Sequence, residues 1–273
     1  MTAQLSFEAL KLRIRWMPRI IIVLLLVPVA LSFWGQGSRA HTQPNLFLPR
    51  GWLAALVFAT FFAPFAWPLL AGSWAGNEYG WGTIRTILTH RPSRVQHVLA
   101  ALTVLVLAAG IGLLAVVVTG TLAGALVGIL SGHDALVSSV LDGAFLGVLL
   151  QSFLAAWYVA LFYLLFAYAA GTIFRSAAAG IGISIGATLA QFIGRGIFDQ
   201  FGGVWKEVGD RFPITYANDL VLHATRGGLA RGAGLGIETG APNALESLLA
   251  ITLCSMILLA LTLVTVRSRD VVA

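Results

Sequence analysis

Long apolar stretches separated by shorter polar segments dominate the hydrophobic pattern of the chain. A helix that crosses a bilayer needs roughly 20 mostly apolar residues, and six stretches reach or approach that length. They predict spanning helices at about 17–34, 51–72, 97–119, 143–170, 177–197 and 245–266. The pattern therefore predicts an all-α, polytopic membrane protein with six transmembrane helices, which form a single transmembrane permease domain over residues 1–273.

Three further segments have patterns of their own. Residues 5–16 interleave apolar and basic side chains, which favours a short helix lying in the membrane interface. Residues 120–130 continue the third apolar run without a charged residue, so we expect one helix that runs past the membrane surface, with two shorter helices as the alternative. The long segment 198–244 lies between the last two spans and contains an amphipathic stretch, Tyr216–Thr225, that predicts a short helix.

Composition agrees with a membrane protein. The chain is 58% hydrophobic and 10% charged, whereas a soluble domain is about 45–50% apolar and about 25% charged. Its net charge of +6 reflects basic residues at the ends of apolar runs, so we expect no nucleic-acid partner. The single cysteine, Cys254, excludes an intramolecular disulfide. No charged residue falls near the middle of a predicted span, which argues against an ion-coupled transporter.

The distribution of lysine and arginine predicts the orientation. With six spans both termini share one side, which carries ten of these residues, against seven on the other side, five of them in one long segment where the rule is weak. We therefore expect both termini and the 73–96 loop to be cytoplasmic, in a multi-pass protein of the cytoplasmic (inner) membrane. A cleavable signal peptide is the alternative, but Pro28 and Trp34 disfavour it.

One polar segment between the second and third spans is strongly patterned. Residues 76–94 read GNEYGWGTIRTILTHRPSR. We place Glu78 near the start of a short helix that Pro92 ends, with Arg85 on the same face. Their seven-residue spacing is too long for an i,i+4 pair, so both side chains are expected to be free to meet another surface. The simpler interpretation is a positively charged loop with a short interfacial helix.

This segment resembles the first cytoplasmic loop of type-2 ATP-binding-cassette (ABC) permeases. In that family an acid is followed by an aromatic residue, Gly-Thr, an arginine, a hydrophobic pair and Pro-x-Arg. The matching positions are Glu78, Trp81, Gly82, Thr83, Arg85, Ile87, Leu88, Pro92 and Arg94. The resemblance implies a coupling helix that docks on an ATPase subunit, with the contact residues Glu78, Trp81, Gly82, Thr83, Arg85, Arg91 and Arg94.

The resemblance also implies a function. The chain would be the permease subunit of an ABC exporter, working in the lipid bilayer as a homodimer, or with a homologous second permease, together with ATPase subunits. No phosphate-binding loop of the form G-x-x-x-x-G-K-[ST] occurs, so ATP and magnesium are expected in the partner ATPase. In this chain we expect no catalytic residue, no cofactor and no metal.

Two alternatives use other features of the chain. A membrane anchor or assembly subunit would have the same spans without transport. An intramembrane protease is suggested by GISIG, Gly182–Gly186, with Ser184 as the nucleophile. That serine needs a histidine base, and neither of the last two spans contains one. We therefore favour small residues at helix contacts for these positions, and likewise for Gly120, Gly124 and Gly128.

Overall fold

The computed structural model describes residues 2–37, 46–80, 93–130, 132, 142–229 and 243–268, and these residues form helices and no β-strand. The helices are α1 Thr2–Ile14, α2 Met17–Gly37, α3 Arg50–Gly80, α4 Arg94–Leu130, α5 Gly143–Phe174, α6 Ala177–Phe201, α7 Gly203–Asp210, α8 Pro213–Leu229 and α9 Ala244–Ser268. Six of them, α2 to α6 and α9, are long and apolar enough to cross a membrane. The predicted all-α fold with six spanning helices is confirmed.

Two helix boundaries matter for the site. The third span is one continuous helix to Leu130, which confirms the single-helix expectation for residues 120–130. The helix that contains the second predicted span, 51–72, runs on to Gly80. Within this helix, Gly72 and Gly76 are positions where α3 packs against α6.

Helix α3 is the centre of the bundle. Of its most apolar stretch, 78% is buried, against 17% in α6 and in α9. It packs against α2, α4, α5, α6 and α8, and its buried residues include the large side chains of Leu53, Trp67 and Trp74. Helix α3 therefore makes direct contact with most of the other spanning helices.

Near the end of α3, three helices meet backbone to backbone. A Cβ atom added at Gly180 of α6 would lie 2.9 Å from the Cα atoms of Gly171 in α5 and of Gly72 in α3. Gly76 faces the backbone of Ala177 in the same way. Small residues allow this close approach, the usual means by which membrane helices gain packing energy.

The predicted contacts of the GISIG segment are only partly correct. Ser184 is buried, and its hydroxyl donates to the carbonyl of Gly180 at 2.6 Å, within its own helix. Gly182 and Gly186 have no atom within 4 Å of an added Cβ, so the prediction of a helix contact is wrong for them within this chain. Gly120 and Gly124, by contrast, do pack against residues 46–55, as predicted.

The segment after α6 folds back onto the bundle. Gly202 and Gly203 adopt positive φ angles of 65° and 54°, which glycine tolerates, and this turn separates α6 from α7. The following helix, α8, buries Ala217, Leu220 and Val221 and packs against α3, α5 and α9. The amphipathic helix predicted at residues 216–225 is thus present and longer than expected.

Candidate functional site: a charged cluster at the end of α3

Helix α1 turns its polar side toward the bundle. Gln4 and Glu8 are buried, whereas Phe7, Leu10 and Ile14 are exposed. This arrangement is the reverse of a surface helix in a soluble protein, and it fits a helix whose outer side contacts lipid. The location of α1 in the membrane interface remains a prediction.

Four ionisable side chains from three helices meet where α1 crosses the end of α3. The Lys11 Nζ atom lies 2.7 Å from Glu8 Oε1 and 2.6 Å from Glu78 Oε1. The His97 Nε2 atom, from the first turns of α4, lies 2.8 Å from Glu78 Oε2. We name Glu8, Lys11, Glu78 and His97 the charged cluster, and the end of the bundle that contains it the α1 end.

The cluster is almost closed to solvent. The side chains of Glu8, Glu78 and His97 are 0%, 3% and 4% exposed, and Lys11 is 13% exposed. Burying an ion is costly unless it is paired and hydrogen-bonded. Each member therefore stabilises the fold only while its partners are in place, which makes the cluster a joint between α1, α3 and α4.

Trp74 completes the surroundings of Glu8. Its Nε1 atom donates to Glu8 Oε2 at 2.9 Å, so both carboxylate oxygens of Glu8 have partners. The Arg15 guanidinium lies 4.8 Å from the centre of the Trp74 ring, and the Lys11 ammonium lies 5.9 Å from it. Both are within the range of cation–π attraction. The Trp74 indole therefore contacts the basic residues Lys11 and Arg15 of α1 as well as the Glu8 carboxylate.

The structure corrects the sequence-based placement of Glu78. Glu78 lies in the last turn of α3, not at the start of a separate short helix, and its side chain is not free but paired with Lys11 and His97. The C-terminal end of a helix carries a partial negative charge, which is an unfavourable place for a carboxylate. The Lys11 ammonium from α1 and a ring nitrogen of His97 from α4 compensate, so the pairing explains how an acid is accommodated there.

The other predicted contact residues are divided between described and undescribed parts of the chain. Arg94 is the first residue of α4, one turn before His97, and so lies at the α1 end. The remaining five lie outside the described residues: Trp81, Gly82, Thr83, Arg85 and Arg91.

Four residues of the site were not found by sequence reasoning: Glu8, Lys11, Trp74 and His97. A usable signal exists, because Glu8 and Glu78 are the only two acids before residue 134. Gln4, Glu8 and Lys11 also follow one another at i, i+4 and i+7, a single helical face. Two isolated acids in a chain this apolar require cationic partners, and Lys11 is the only lysine before residue 206.

Comparison with known families is consistent with this architecture. A family described as ABC-2 family transporter protein matches residues 4–191, which is more than half of the chain and includes the whole charged cluster. The chain therefore belongs to the ABC-2 family of transporter proteins. Members of this family are membrane subunits of ABC transporters. No curated protein matched the sequence.

Proposed function

We propose that this chain is the permease subunit of an ABC exporter, which moves its substrate across the cytoplasmic membrane with ATP hydrolysed by a separate ATPase subunit. Family membership over residues 4–191 supports the transport role. The observation that carries the coupling role is the charged cluster, because it joins α1 to the two helices on either side of residues 81–92.

Helices α3 and α4 would both be moved by a force on the segment between them, because that segment connects them covalently. Helix α3 ends at Gly80 and α4 begins at Arg94, so any displacement of the residues between them acts on both helices. Glu78 and His97 hold the two ends together at 2.8 Å, and Lys11 extends the connection to α1. A force on the 81–92 segment would therefore move three helices as one unit.

In the proposed cycle two permease chains pair, and each engages one ATPase at its cytoplasmic side. ATP with magnesium closes the ATPase pair, the segments 81–92 shift, and the spans alternate between inward-open and outward-open states. The proposed ATPase contacts are Trp81, Gly82, Thr83, Arg85, Arg91 and Arg94. For Glu78 we propose an indirect role, in which it transmits the shift through the charged cluster.

Topology is the first test. In a Cys254→Ala background, a cysteine at Ser93 should react with a membrane-impermeant maleimide only from the cytoplasm, and one at Lys206 only from outside. Ser93 precedes α4 at the α1 end, and the Lys206 side chain is 50% exposed in α7. Labelling of both positions from the same side would contradict the proposed orientation.

Coupling to the ATPase is the second test. Arg85→Ala is the best variant for it, because Glu78 is paired with Lys11 and His97 of the same chain, so changing Glu78 would also disturb the fold. Truncating one partner of a buried charge pair at an interface costs roughly 2–5 kcal/mol, and 1.4 kcal/mol already corresponds to about tenfold. Permease-stimulated ATP hydrolysis by the partner should therefore fall at least tenfold with normal membrane insertion. Arg231→Ala, on the other predicted side, is the matched control. Wild-type stimulation in Arg85→Ala would leave the segment as a topology signal, and no stimulation by the unmodified chain would favour an anchor subunit.

A further inference from the structure

An apolar cavity of about 450 Å³ lies between α1, α2, α3 and α4. Its inner wall includes Leu25 of α2 and Trp67 of α3, both of which are buried. Its rim includes Leu107 and Ile111 of α4, which are more than half exposed. The cavity therefore opens toward the apolar outer side of the bundle, and we name it the α2–α4 groove. Its volume lies in the range of about 300–1,000 Å³ that is common for small-ligand sites.

The α2–α4 groove extends along the two helices that border it. Its lining runs from Pro18 to Leu25 on α2 and from Val104 to Gly112 on α4, which is about 10 and 12 Å along the helix axes. An elongated apolar groove that opens to lipid fits a hydrocarbon chain lying lengthwise in it. Lipid tails are as apolar as such a lining, so a chain gains little from the groove alone. Selection of a particular lipid therefore needs a polar contact at one end.

Two arginines supply that polar contact where α1 meets the groove. Arg13 of α1 is the one charged residue of the described lining. Arg19 lies one turn before Ile22, another lining residue, on the same face of α2. Both arginines are exposed, and neither side chain forms an ion pair or a hydrogen bond with another described residue.

Acids in this half of the chain do not neutralise the two arginines. The first 133 residues contain only two acids, Glu8 and Glu78, and both are paired inside the charged cluster. An anion that neutralises Arg13 and Arg19 therefore has to come from outside this part of the chain. The guanidinium group matches phosphate geometry, and attraction of one basic residue to an anionic lipid surface corresponds to about a fivefold gain in affinity.

We propose that the α2–α4 groove binds one acyl chain of an anionic phospholipid, whose phosphate lies against the Arg13 and Arg19 guanidinium groups. A lipid bound in this way contacts α1, α2 and α4 at once, because all three helices line the groove. It leaves the charged cluster intact, since none of the four cluster residues belongs to the described lining. The proposal requires the membrane location of these helices and is independent of the transport proposal.

The headgroup contact is tested on the full chain, freed of lipid in a non-ionic detergent and titrated with dioleoyl-phosphatidylglycerol or dioleoyl-phosphatidylcholine. Native mass spectrometry counts the bound lipids and gives their affinities. The unmodified chain should bind one phosphatidylglycerol at least fivefold more tightly than phosphatidylcholine. Arg13→Gln should lower the affinity for phosphatidylglycerol about fivefold and leave that for phosphatidylcholine unchanged. Arg267→Gln is the matched control, because it removes an exposed arginine from the last turn of α9, and it should bind phosphatidylglycerol like the unmodified chain.

Occupation of the groove is tested by filling it. Ala108 of α4 belongs to the lining, so Ala108→Phe places a ring where the acyl chain would lie and should weaken phosphatidylglycerol binding at least fivefold. Ala108→Leu serves as a second variant if Ala108→Phe does not fold. Ala125→Phe makes the same change elsewhere in α4, outside the described lining, and should leave lipid binding unchanged.

Three results would overturn the proposal. The first is equal affinity of the unmodified chain for the two lipids, and the second is equal phosphatidylglycerol binding by Arg13→Gln and Arg267→Gln. The third is unchanged lipid binding in both Ala108 variants, which would reduce the site to a basic surface. If Ala108→Phe instead changes the oligomeric state and not lipid binding, a second chain covers the groove and the lipid assignment is wrong.

Discussion

The two ends of the bundle handle charge in opposite ways. At the α1 end, two ion pairs of Lys11 at 2.6 and 2.7 Å and a 2.8 Å hydrogen bond between His97 and Glu78 connect three helices, and the two acids and the histidine are nearly closed to solvent. At the other end, here the α7 end, Arg195 and Asp210 approach to only 3.4 Å, with side chains 24% and 19% exposed. Lys206 and Asp199 are 3.9 Å apart and about half exposed. In these pairs charge is buried at the α1 end and partly exposed at the α7 end, although α8 also buries the side chain of Asp219.

Two described polar contacts at the α7 end each include a neutral side chain. The Gln191 side chain accepts from the backbone N–H of Ile214 at 3.2 Å, which ties the start of α8 to α6. The Tyr216 hydroxyl donates to Glu246 Oε1 at 3.1 Å. Burial and the Glu246 carboxylate raise the pKa of Tyr216, so this contact keeps its proton well into the alkaline range. Each of these contacts joins only two groups, unlike the charged cluster, in which the members depend on one another.

Helix α6 belongs to both ends and shows the difference along its length. At the α1 end its Gly180 touches the backbones of α3 and α5. Toward the α7 end its large side chains Phe192, Ile193 and Phe201 are exposed. Along α6 the close backbone contacts thus lie near the charged cluster, whereas at the other end of the bundle close contacts are made by Gly120 and Gly124 of α4.

The largest effect that separates the two ends is expected from Glu78→Ala. Removing one partner of a buried ion pair costs roughly 3–5 kcal/mol, because the remaining charges stay buried without compensation. Asp210→Ala at the α7 end breaks a looser, partly exposed pair and should cost less than about 1 kcal/mol. Unfolding of the two purified variants in nanodiscs measures both values, and equal losses of stability would remove the distinction.

Backbone packing should show a similar contrast along α6. In Gly180→Ala the new methyl group meets two Cα atoms at 2.9 Å, and overpacking of this kind costs about 1–3 kcal/mol. Gly186→Ala places a methyl group in open space and should be neutral or stabilising by up to about 1 kcal/mol, because alanine favours a helix. Both free energies of unfolding come from the same denaturation assay. If Gly186→Ala is as harmful, that face of α6 is covered by a second chain.

Trp74→Phe tests the hydrogen bond to the cluster while keeping an aromatic ring. Glu8 Oε2 loses its donor, and a buried acceptor left unpaired costs about 1–3 kcal/mol. Trp205→Phe, in α7, is the control, because this tryptophan is 56% exposed and contacts the Phe198 ring at a tilt. Its free energy of unfolding should change by less than about 0.5 kcal/mol. Indistinguishable results would mean that the indole N–H contributes nothing to the cluster.

The fold was predictable because a helix that crosses a lipid bilayer requires a long apolar run, which is visible in the sequence. Each span is a continuous apolar run, and the uninterrupted stretch through residues 120–130 foretold a single helix α4. The continuation of α3 to Gly80 was not predicted, because Gly72 and Gly76 have two physical uses, ending a helix or packing it closely. Which one applies depends on Gly180 and Ala177, roughly a hundred residues away along the chain.

The site was less predictable because its residues, too, are far apart along the chain. The resemblance directed attention to residues 76–94, and Glu78 in that segment does belong to the cluster. Its partners Lys11 and His97 lie 67 and 19 residues away along the chain, and no periodicity within one helix connects them. Only the scarcity of acids in the first half of the chain signals that Glu78 needs cations, and this signal does not say which ones.

The smallest predicted effects come from the helix caps. They test whether the charged cluster alone, or every contact at the α1 end, is sensitive to substitution. Asp142 caps α5 at the α7 end, where its carboxylate accepts from Phe145 N at 2.7 Å. Ser176 caps α6 at the α1 end, where its hydroxyl accepts from Ala179 N at 3.3 Å. Replacing a cap by alanine costs about 0.5–2 kcal/mol. A carboxylate also interacts favourably with the helix dipole, so Asp142→Ala should cost about 1 kcal/mol and Ser176→Ala about 0.5 kcal/mol. The same unfolding assay measures both free energies.

The order of the two losses matters, because the larger loss is expected at the end without the charged cluster. If Ser176→Ala instead destabilises the protein as much as Glu78→Ala, every contact at the α1 end is equally sensitive, and the charged cluster has no distinct part in joining α1, α3 and α4.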